Sequence, residues 1–417
     1  MAIETEVGLE APEGFKQTEI GPLPTEWATV RLGDIATARY GKAKPPSSGN
    51  VPVIGSGGVY AWADQCLVEF QTVIIGRKGT AGEIWVPKGP CWPSDTTFFL
   101  EWKTEVDVAF VASYLRLHKP SGQHAKTTLP SLQKHQVEEI IVPLPPLYEQ
   151  RAIARVLSTI QRAIEATDRV IAAARQLKRS LMRHLFTYGP VPIAEAERIP
   201  LKETEIGPVP EHWEVVRLKD AAQKTSQVDP RRRPHQSFRY VDVSSVDNNR
   251  LRIMSYASVD GSNAPSRARK LVQTKDVIFA TVRPYLKRIA LVPPQLDGHI
   301  CSTAFCVVRA DPARADHDYL FFTVSEDMFV DRVAARQHGT GYPAVTDSVV
   351  LGEAIPLPPV TEQRAIAWAL TRTATKIEAE EKRKAALKEL FRTMLHLLMT
   401  GRTRVKDWNT SSAEGGT

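Results

Sequence analysis

Two long stretches of the chain carry apolar side chains at alternating steps of four and three, the spacing of a heptad repeat. They run from Glu149 to about Thr187 and from Glu362 to about Thr400, and neither contains Gly or Pro. Each predicts a helix of roughly 60 Å at ~1.5 Å per residue, twice the ~30 Å width of a ~150-residue domain. We therefore expect two protruding helices that pack antiparallel as a coiled coil between two globular domains. In the alternative interpretation, each helix packs only on its own domain. The seam positions predicted to form the helix and subunit interface are Ile153, Leu157, Ile160, Ile164, Ile366, Leu370, Ile377 and Leu387.

The pattern changes to short β-branched runs between turns in residues 18–148 and 204–360. Examples are VPVIGS and TFFLEW in the first segment and DVIFATVRP and AFCVVRA in the second. These runs predict two mixed α/β domains. The predicted boundaries are an N-terminal arm at 1–17, a first globular domain at 18–148, a first helix at 149–189, a linker at 190–203, a second globular domain at 204–360, a second helix at 361–401 and a flexible C-terminal tail at 402–417.

The chain contains an internal repeat. TEIGPLPTEWATVRLGD at Thr18 returns as TEIGPVPEHWEVVRLKD at Thr204, an offset of 186. PLPPLYEQRAIARVL at Pro143 returns as PLPPVTEQRAIAWAL at Pro356, an offset of 213, so the second copy holds about 27 more residues. The two copies have similar sequences at their ends and different sequences in their centres. This predicts two copies of one scaffold, related by a pseudo-twofold, whose central surfaces recognise two different targets. The alternative is a plain tandem duplication whose loops have drifted.

Composition narrows the class of protein. The net charge of +7 favours a polyanionic partner, although many basic proteins never bind nucleic acid. The start MAIETEVGLE has no apolar core and no apolar run reaches ~18 residues, so we expect a cytoplasmic protein without a signal peptide or membrane span. The four cysteines form no CxxC pair, so free buried thiols are expected rather than a metal site, and Cys301 with Cys306 is a weak ligand-pair alternative.

Basic residues stand at the ends of the predicted strands, in loops with Gly residues that let a partner come close. Arg can bind guanine with two hydrogen bonds, and hydroxyls bond phosphate or base. A solvated hairpin tip is the alternative for any one of them. The predicted DNA-contacting residues are Lys42, Lys44, Arg77, Lys78, Thr80, Arg231, Arg232, Arg283, Tyr285, Lys287 and Arg288.

Catalytic motifs are missing from the sequence. It has no GxxxxGK[ST], no Asn/Asp-Pro-Pro-Tyr/Phe, no GxSxG and no HExxH. GSGG at Gly55–Gly58 is interpreted as a tight turn, and His338 in HGTGYP as a turn histidine rather than a base. We therefore expect no catalytic residues and no bound metal.

These blocks resemble the specificity subunits of type I restriction-modification systems over nearly the whole chain. The most specific signal is PLPP…EQRAIA, which occurs twice before a long helix; GSGG, IIGRKGTAG, GTGYPAV and LLMTGRTRV are weaker. The resemblance implies two target-recognition domains that each read half of a split, non-palindromic sequence in double-stranded DNA. It also implies that the paired helices set the spacing and bind two modification (methyltransferase) subunits, which restriction (motor and nuclease) subunits join for cleavage.

Under this resemblance the chain binds no cofactor, and S-adenosylmethionine, ATP and Mg belong to the partner subunits. Two other hypotheses stay open at this point. One is a fused restriction enzyme with an unrecognised catalytic site, which would need an acidic metal-binding cluster in the second domain. The other is a coiled-coil adaptor that does not bind DNA.

Overall fold

The computed structural model describes residues 11–120, 131–339 and 341–405. The chain divides into two compact units: unit 1 comprises Met1–Asp168 with Lys382–Thr417, and unit 2 comprises Arg169–Glu381. Each long helix therefore begins in one unit and ends in the other.

Unit 1 is built from small sheets and short helices, and its described buried residues form a large hydrophobic cluster and a smaller one. Its strands are β1 (Phe15–Thr18), β2 (Gly21–Pro24), β3 (Ala28–Arg31), β4 (Ala36–Tyr40), β5 (Val51–Gly55), β6 (Gly58–Ala63), β7 (Ile74–Gly76), β8 (Ile84–Trp85), β9 (Trp92–Pro93), β10 (Thr97–Trp102) and β11 (Ile141–Leu144). Its helices are α1 (Leu32–Ile35), α2 (Val108–Leu117), α3 (Lys134–Glu138) and the first half of α4 (Leu147–Tyr188). The sheets have the orders β4-β10-β7-β8 and β6-β5-β9, and β3 pairs with β11.

Unit 2 repeats this plan with additions. Its strands are β12 (Leu201–Lys202), β13 (Val209–Pro210), β14 (Glu214–Arg217), β15 (Ala222–Gln223), β16 (Ser237–Val241), β17 (Val246–Asp247), β18 (Arg252–Ile253), β19 (Ala257–Asp260), β20 (Ala268–Leu271), β21 (Val277–Ala280), β22 (Ile289–Leu291), β23 (Ile300–Ser302), β24 (Phe305–Ala310) and β25 (Ala354–Leu357). Its helices are α5 (His317–Ser325), α6 (Asp327–Ala334), α7 (Asp347–Leu351) and the first half of α8 (Val360–Met399).

The strand pairings show that the two units share one scaffold. The order β15-β24-β21-β22 matches β4-β10-β7-β8, and β14 pairs with β25 as β3 pairs with β11. Strand β16 pairs antiparallel with β19 and parallel with β23, as β5 pairs with β6 and β9. The repeat seen in the sequence is thus a repeat of the fold, and the centres that share no sequence motif still share their topology.

Part of the extra length of unit 2 forms an arm. In unit 1 only residues 56–57 join β5 to β6, whereas in unit 2 residues 242–256 join β16 to β19 and contain β17 and β18. Arg252 in this arm pairs with Glu378 of α8 at 2.6 Å, and Arg250 pairs with Glu381 at 3.4 Å. The arm therefore ties this domain to the side of its helix.

A tryptophan–glutamate hydrogen bond holds the start of each long helix. The Trp27 indole donates to Glu149 at 3.0 Å, and the Trp213 indole donates to Glu362 at 2.9 Å. The next residue is Gln in both helices, and its amide donates to the carbonyl oxygen of a preceding proline at 2.8 Å. The Glu and Gln of each repeat thus form hydrogen bonds with buried polar groups where the helix meets the domain. Buried polar groups in folded proteins almost always have such partners.

The helix seams pack in antiparallel pairs within each unit. In unit 1, Ile153 and Leu157 share a hydrophobic cluster with Leu398 and Met399, and Asp168 pairs with Lys384. In unit 2, an equivalent cluster joins residues 185–186 to residues 366–370. These clusters also contain domain residues, so the helices pack on each other as well as on the domains, and the alternative in which each helix packs only on its own domain is wrong. Ile164 is buried, and Ile160, Ile377 and Leu387 are half-buried.

Several predicted boundaries shift. Helix α4 begins at Leu147 rather than Glu149, directly after Pro146, and ends at Tyr188. The predicted linker 190–203 contains a 3-10 helix, Ile193–Arg198, and strand β12. Residues 402–405, assigned to a flexible tail, pack on unit 1 through Arg404, and 406–417 lie outside the described residues, as do 1–10 of the predicted arm.

Candidate nucleic-acid interface

In unit 1, three predicted DNA-contacting residues converge on the end of β9 and on the loop, residues 94–96, that joins it to β10. The amide of Lys42 donates to the Pro93 carbonyl at 3.0 Å. The amides of Arg77 and Lys78 donate to the Thr96 carbonyl at 2.8 and 3.2 Å. Segments far apart in sequence thus place basic residues around one loop. Lys44 and Thr80 lie exposed nearby in the chain, two residues beyond Lys42 and Lys78.

The Arg77 side chain is held in a fixed orientation. Its guanidinium carbon lies 5.3 Å from the centre of the Tyr40 ring and 5.9 Å from that of Phe98. Its Nη2 donates to the Asp95 carbonyl at 2.8 Å. The Tyr40 side chain is 52% exposed, so the pair lies at the surface. An arginine stacked in this way presents a preset plane of donors.

A pocket of about 440 Å³ lies beside this arginine and was missed in the sequence. It is lined by Gly55, Ser56, Gly57, Gly58, Val59, Tyr60, Ser94 and Thr96. The GSGG segment makes the predicted tight turn, with Gly58 at φ +109°, but the turn also forms the pocket rim. Ser94 and Thr96 share a hydroxyl hydrogen bond of 2.7 Å. Strand β6 exposes Val59, Tyr60 and Trp62, and apolar residues on the outer face of GVYAWA were the available signal.

Unit 2 holds Arg283 in a comparable way. Its amide donates to the Pro343 carbonyl at 2.7 Å, and its Nη2 donates to the Gly341 carbonyl at 3.3 Å. Its guanidinium carbon lies 5.0 Å from the centre of the Tyr342 ring, and that side chain is 77% exposed. His338 and Ala344 exchange two backbone hydrogen bonds, at 2.9 and 3.0 Å, and Tyr342 lies between them in the chain.

The neighbouring predicted residues of unit 2 have partners inside the protein. Arg288 donates to the carbonyls of Val243 and Val246 at 3.1 and 2.6 Å, so it holds the arm. Lys287 pairs with Asp327 of α6. Desolvation lowers the pKa of Lys287, although nearby acidic groups oppose that shift. Tyr285, between Arg283 and Lys287 in the chain, is exposed.

The three consecutive arginines 231–233 differ in their contacts. Arg231 donates from two nitrogens to the Ala264 carbonyl at 3.2 and 3.0 Å, which fixes the loop. Arg232 and Arg233 line a separate pocket of about 370 Å³ with Gln236 and Phe238. Arg232 therefore remains a predicted DNA contact, while the Arg231 guanidinium is committed to the fold.

Three residues of unit 2 have metal-ligand chemistry, although no metal site was expected from the sequence. Asp316, His317 and Asp318 bring three possible ligand atoms together. The Asp316 carboxylate caps α5 through the amides of Asp318 and Tyr319, at 3.0 and 3.1 Å. His317 lies 2.7 Å from the Lys275 ammonium, whose charge disfavours a cation. Asp316 thus caps the helix, and His317 contacts Asp318 at 3.0 Å as well as Lys275, so each group has a structural role.

The cysteines are free thiols, and three of the four are buried. Burial raises the pKa of Cys301 and of Cys306 to about 12, so both remain protonated near neutral pH. Among the described residues, no helix combines the length and the apolar character needed to cross a membrane.

Comparison with known proteins identifies the family. The family model described as type I restriction modification DNA specificity domain matches residues 24–174 and 210–389. The MjaVIII type I restriction enzyme specificity subunit of Methanocaldococcus jannaschii is 27% identical over 95% of this chain and 97% of its own. The EcoDI specificity subunit of Escherichia coli is 21% identical over 83% of this chain and 81% of its own.

A solved structure supports the fold. The S subunit of a type I restriction-modification system from M. genitalium aligns with a TM-score of 0.60 at 14% identity, over 89% of this chain and 96% of that one. The family model matches the chain twice, once in each copy of the repeat. The chain belongs to the family of type I restriction-modification DNA specificity proteins.

Proposed function

We propose that this chain is the DNA-reading subunit of a type I restriction-modification complex and that it recognises a split, non-palindromic sequence. One observation carries this proposal: the two units share the strand order of their main sheet and the pairings of β5 and β16, yet differ in the loops that hold their exposed arginines and tyrosines. Two similar scaffolds can sit on the DNA backbone in the same way, because backbone contacts position a protein. Different loops would contact different bases, which specify the sequence. A palindromic target would require two similar reading surfaces.

The chemical steps belong, in this proposal, to partner subunits. Two modification subunits would supply S-adenosylmethionine chemistry, and restriction subunits would supply ATP-dependent cleavage with Mg. One observation among the described residues supports this division. The possible metal ligands Asp316, His317 and Asp318 have other roles, since Asp316 caps α5 and His317 lies against the Lys275 ammonium.

The long helices are proposed to fix the gap between the half-sites and to bind the modification subunits. Ile153, Leu157, Ile366 and Leu370 are almost wholly buried, so a partner would have to bind another face of each helix. Exposed candidates include Tyr148 near the start of α4 and Trp368 near the start of α8.

The proposal is tested by selecting bound duplexes from a random pool with the purified chain and its modification subunits. We expect two unlike short motifs at a fixed separation. The affinity for the selected duplex should fall steeply with salt, because each neutralised phosphate releases a counterion. The control duplex carries both motifs scrambled. A chain that selects no sequence, or binds without salt dependence, would contradict the proposal and favour the adaptor hypothesis.

A further inference from the structure

Each unit contains one arginine fixed by the same three features. The guanidinium carbons of Arg77 and Arg283 lie 5.3 and 5.0 Å from the ring centres of the exposed Tyr40 and Tyr342. In both, Nη2 donates to a loop carbonyl, that of Asp95 or of Gly341. In both, Nε is buried and has no hydrogen-bond partner among the described residues.

The duplication does not explain this likeness. Arg77 directly follows β7, and its amide donates to the Thr96 carbonyl. The unit 2 residue with the matching bond is Thr281, whose amide donates to the Ala304 carbonyl at 2.8 Å. Arg283 lies two residues further on, and its tyrosine comes from a different loop. The same arrangement is therefore built twice from non-equivalent positions, which points to a shared task.

The conformation of these two arginines is destabilising, because the buried Nε of each lacks a hydrogen-bond partner among the described residues. A buried N–H without a partner is destabilising by about 1–3 kcal/mol. Arg283 also has φ +49°, a left-handed conformation that is unfavourable for a non-glycine residue. Such costs cluster at binding sites, where they fix a group in advance for its ligand.

Arginines that serve the fold of this protein behave differently. Arg309 binds the buried Asp276 with two nitrogens at 2.8 and 2.7 Å, and Arg332 binds the buried Glu353 at 2.8 Å. In the described part of the chain, neither Arg77 nor Arg283 takes part in a salt bridge with a carboxylate. Their positive charge is uncompensated at close range and lies beside an exposed ring.

The geometry suits a base edge. Guanine presents O6 and N7 in one plane and accepts two hydrogen bonds from a guanidinium. A phosphate can also accept two hydrogen bonds from a guanidinium, so the variants below are chosen to separate the two contacts. Stacking on tyrosine fixes the guanidinium plane before DNA arrives, which lowers the entropy lost on binding.

We propose that Arg77 and Arg283 each read a guanine in the major groove, one in each half-site, and that Tyr40 and Tyr342 are positioning residues that orient them. This inference rests on the proposed function. It predicts that each half-site contains a G·C pair whose discrimination depends on the arginine of that unit.

The test uses the full chain with its modification subunits and duplexes in which each base pair of the selected target is replaced in turn. For the unaltered protein, one G·C replacement in each half-site should weaken binding by about 5- to 150-fold, the range for a two-bond arginine–guanine contact. Arg77→Lys keeps the charge and should lose discrimination at that pair of one half-site only. Tyr40→Leu should weaken the same discrimination, and Tyr40→Phe, which keeps the ring, should restore it.

The matched control is Arg39→Ala, which removes the neighbouring cation, paired with Glu101 at 2.8 Å, and leaves the stacked arginine in place. Arg39→Ala should keep the full discrimination, and unchanged reading of the other half-site shows that each variant is folded. Arg283→Lys with Tyr342→Leu and Tyr342→Phe repeats the test in the second half-site.

A half-site without a G·C pair overturns the inference. So does an Arg77→Lys variant that discriminates as well as the unaltered protein, or an Arg77→Ala variant that binds all sequences more weakly with a shallower salt dependence, which is a phosphate contact. In each of these outcomes the protein still selects a split target, so the proposed function stands. If the unaltered protein selects no sequence at all, the proposed function itself is overturned.

Discussion

Replacing Arg404 with Met should destabilise unit 1 and leave unit 2 intact. Arg404 donates to both oxygens of Glu149, at 2.6 and 2.9 Å, and to Glu26 at 2.7 Å. The Glu149 side chain is 1% exposed and that of Arg404 is 15% exposed. Hydrogen bonds to these carboxylates raise the pKa of Arg404, so the arginine stays charged in this site. Without it, the buried carboxylate would keep only the Trp27 indole as a donor among the described contacts.

The expected loss follows from the burial. Removing one partner of a buried ion pair costs about 3–5 kcal/mol, and we expect about 3 kcal/mol because the Glu26 side of the contact is half-exposed. For a folding unit of about 200 residues this lowers the unfolding midpoint by roughly 6–12 °C. Glu149→Gln should lose less, since a neutral amide is cheaper to bury than an unpaired carboxylate.

Differential scanning calorimetry measures this, with the double variant Glu149→Gln/Arg404→Met completing the cycle. The two losses should be strongly non-additive, because both changes remove the same contact. Unit 2 gives an internal control: its Glu362 is bound by His212 at 2.9 Å instead of an arginine, so its transition should not move. If Arg404→Met lowers the free energy of unfolding of unit 1 by less than about 1 kcal/mol, the reasoning is refuted. The contact would then be no stronger than an ordinary surface ion pair.

Three further predictions follow from the seams, the helix length and the thiols. Ile153→Asp should destabilise unit 1 by more than about 4 kcal/mol in chemical denaturation, since it places a charge in a fully buried position, whereas Thr159→Asp on the exposed side of α4 should be tolerated. Four residues inserted within α4 add ~6 Å, or one to two base pairs at ~3.4 Å each, so methylation mapping should show a longer gap and unchanged half-sites; an active variant with an unchanged gap would show that the helix does not set it. In thiol titration with Ellman's reagent at pH 8, Cys66 should react in the native protein and Cys301 and Cys306 only after unfolding, because burial keeps their pKa near 12; rapid native reaction of all four thiols would contradict the buried placement.

The elements that the sequence predicted best depend on local periodicity or on direct repetition. The heptad spacing indicated both long helices, and the two PLPP…EQRAIA blocks marked where they begin. The duplicated ends indicated the shared scaffold, which the matched strand orders confirm. The boundary errors were small, because a proline at the helix start is compatible with the first turn, so α4 could begin at Leu147, directly after Pro146.

The reading surfaces could not be resolved in the same way. Arg283 and Arg288 follow the same strand and look alike in sequence, yet one stacks on Tyr342 and the other donates to two arm carbonyls. Which of them is available depends on loops more than forty residues away. Arg404 was assigned to a polar tail because its partner, Glu149, is 255 residues distant.

The pocket of unit 1 was hidden for a related reason. Ser56 comes from one turn and Ser94 with Thr96 from another, and the parallel pairing of β5 with β9 brings the two turns together. A parallel pairing across this distance leaves no spacing signature in the sequence. A tight turn was the correct local interpretation of GSGG, but it said nothing of the surface that the turn helps to build.

Genome-wide mapping of DNA methylation tests the central claim most directly. The chain would be expressed with its modification subunits in a host that lacks adenine methylation, and a host carrying the modification subunits alone would serve as the control. We predict one methylated motif made of two unlike half-sites separated by a fixed, non-specific gap, present only when this chain is present. A continuous or palindromic motif, or a motif that is unchanged without the chain, would contradict the claim that its two units read two different half-sites.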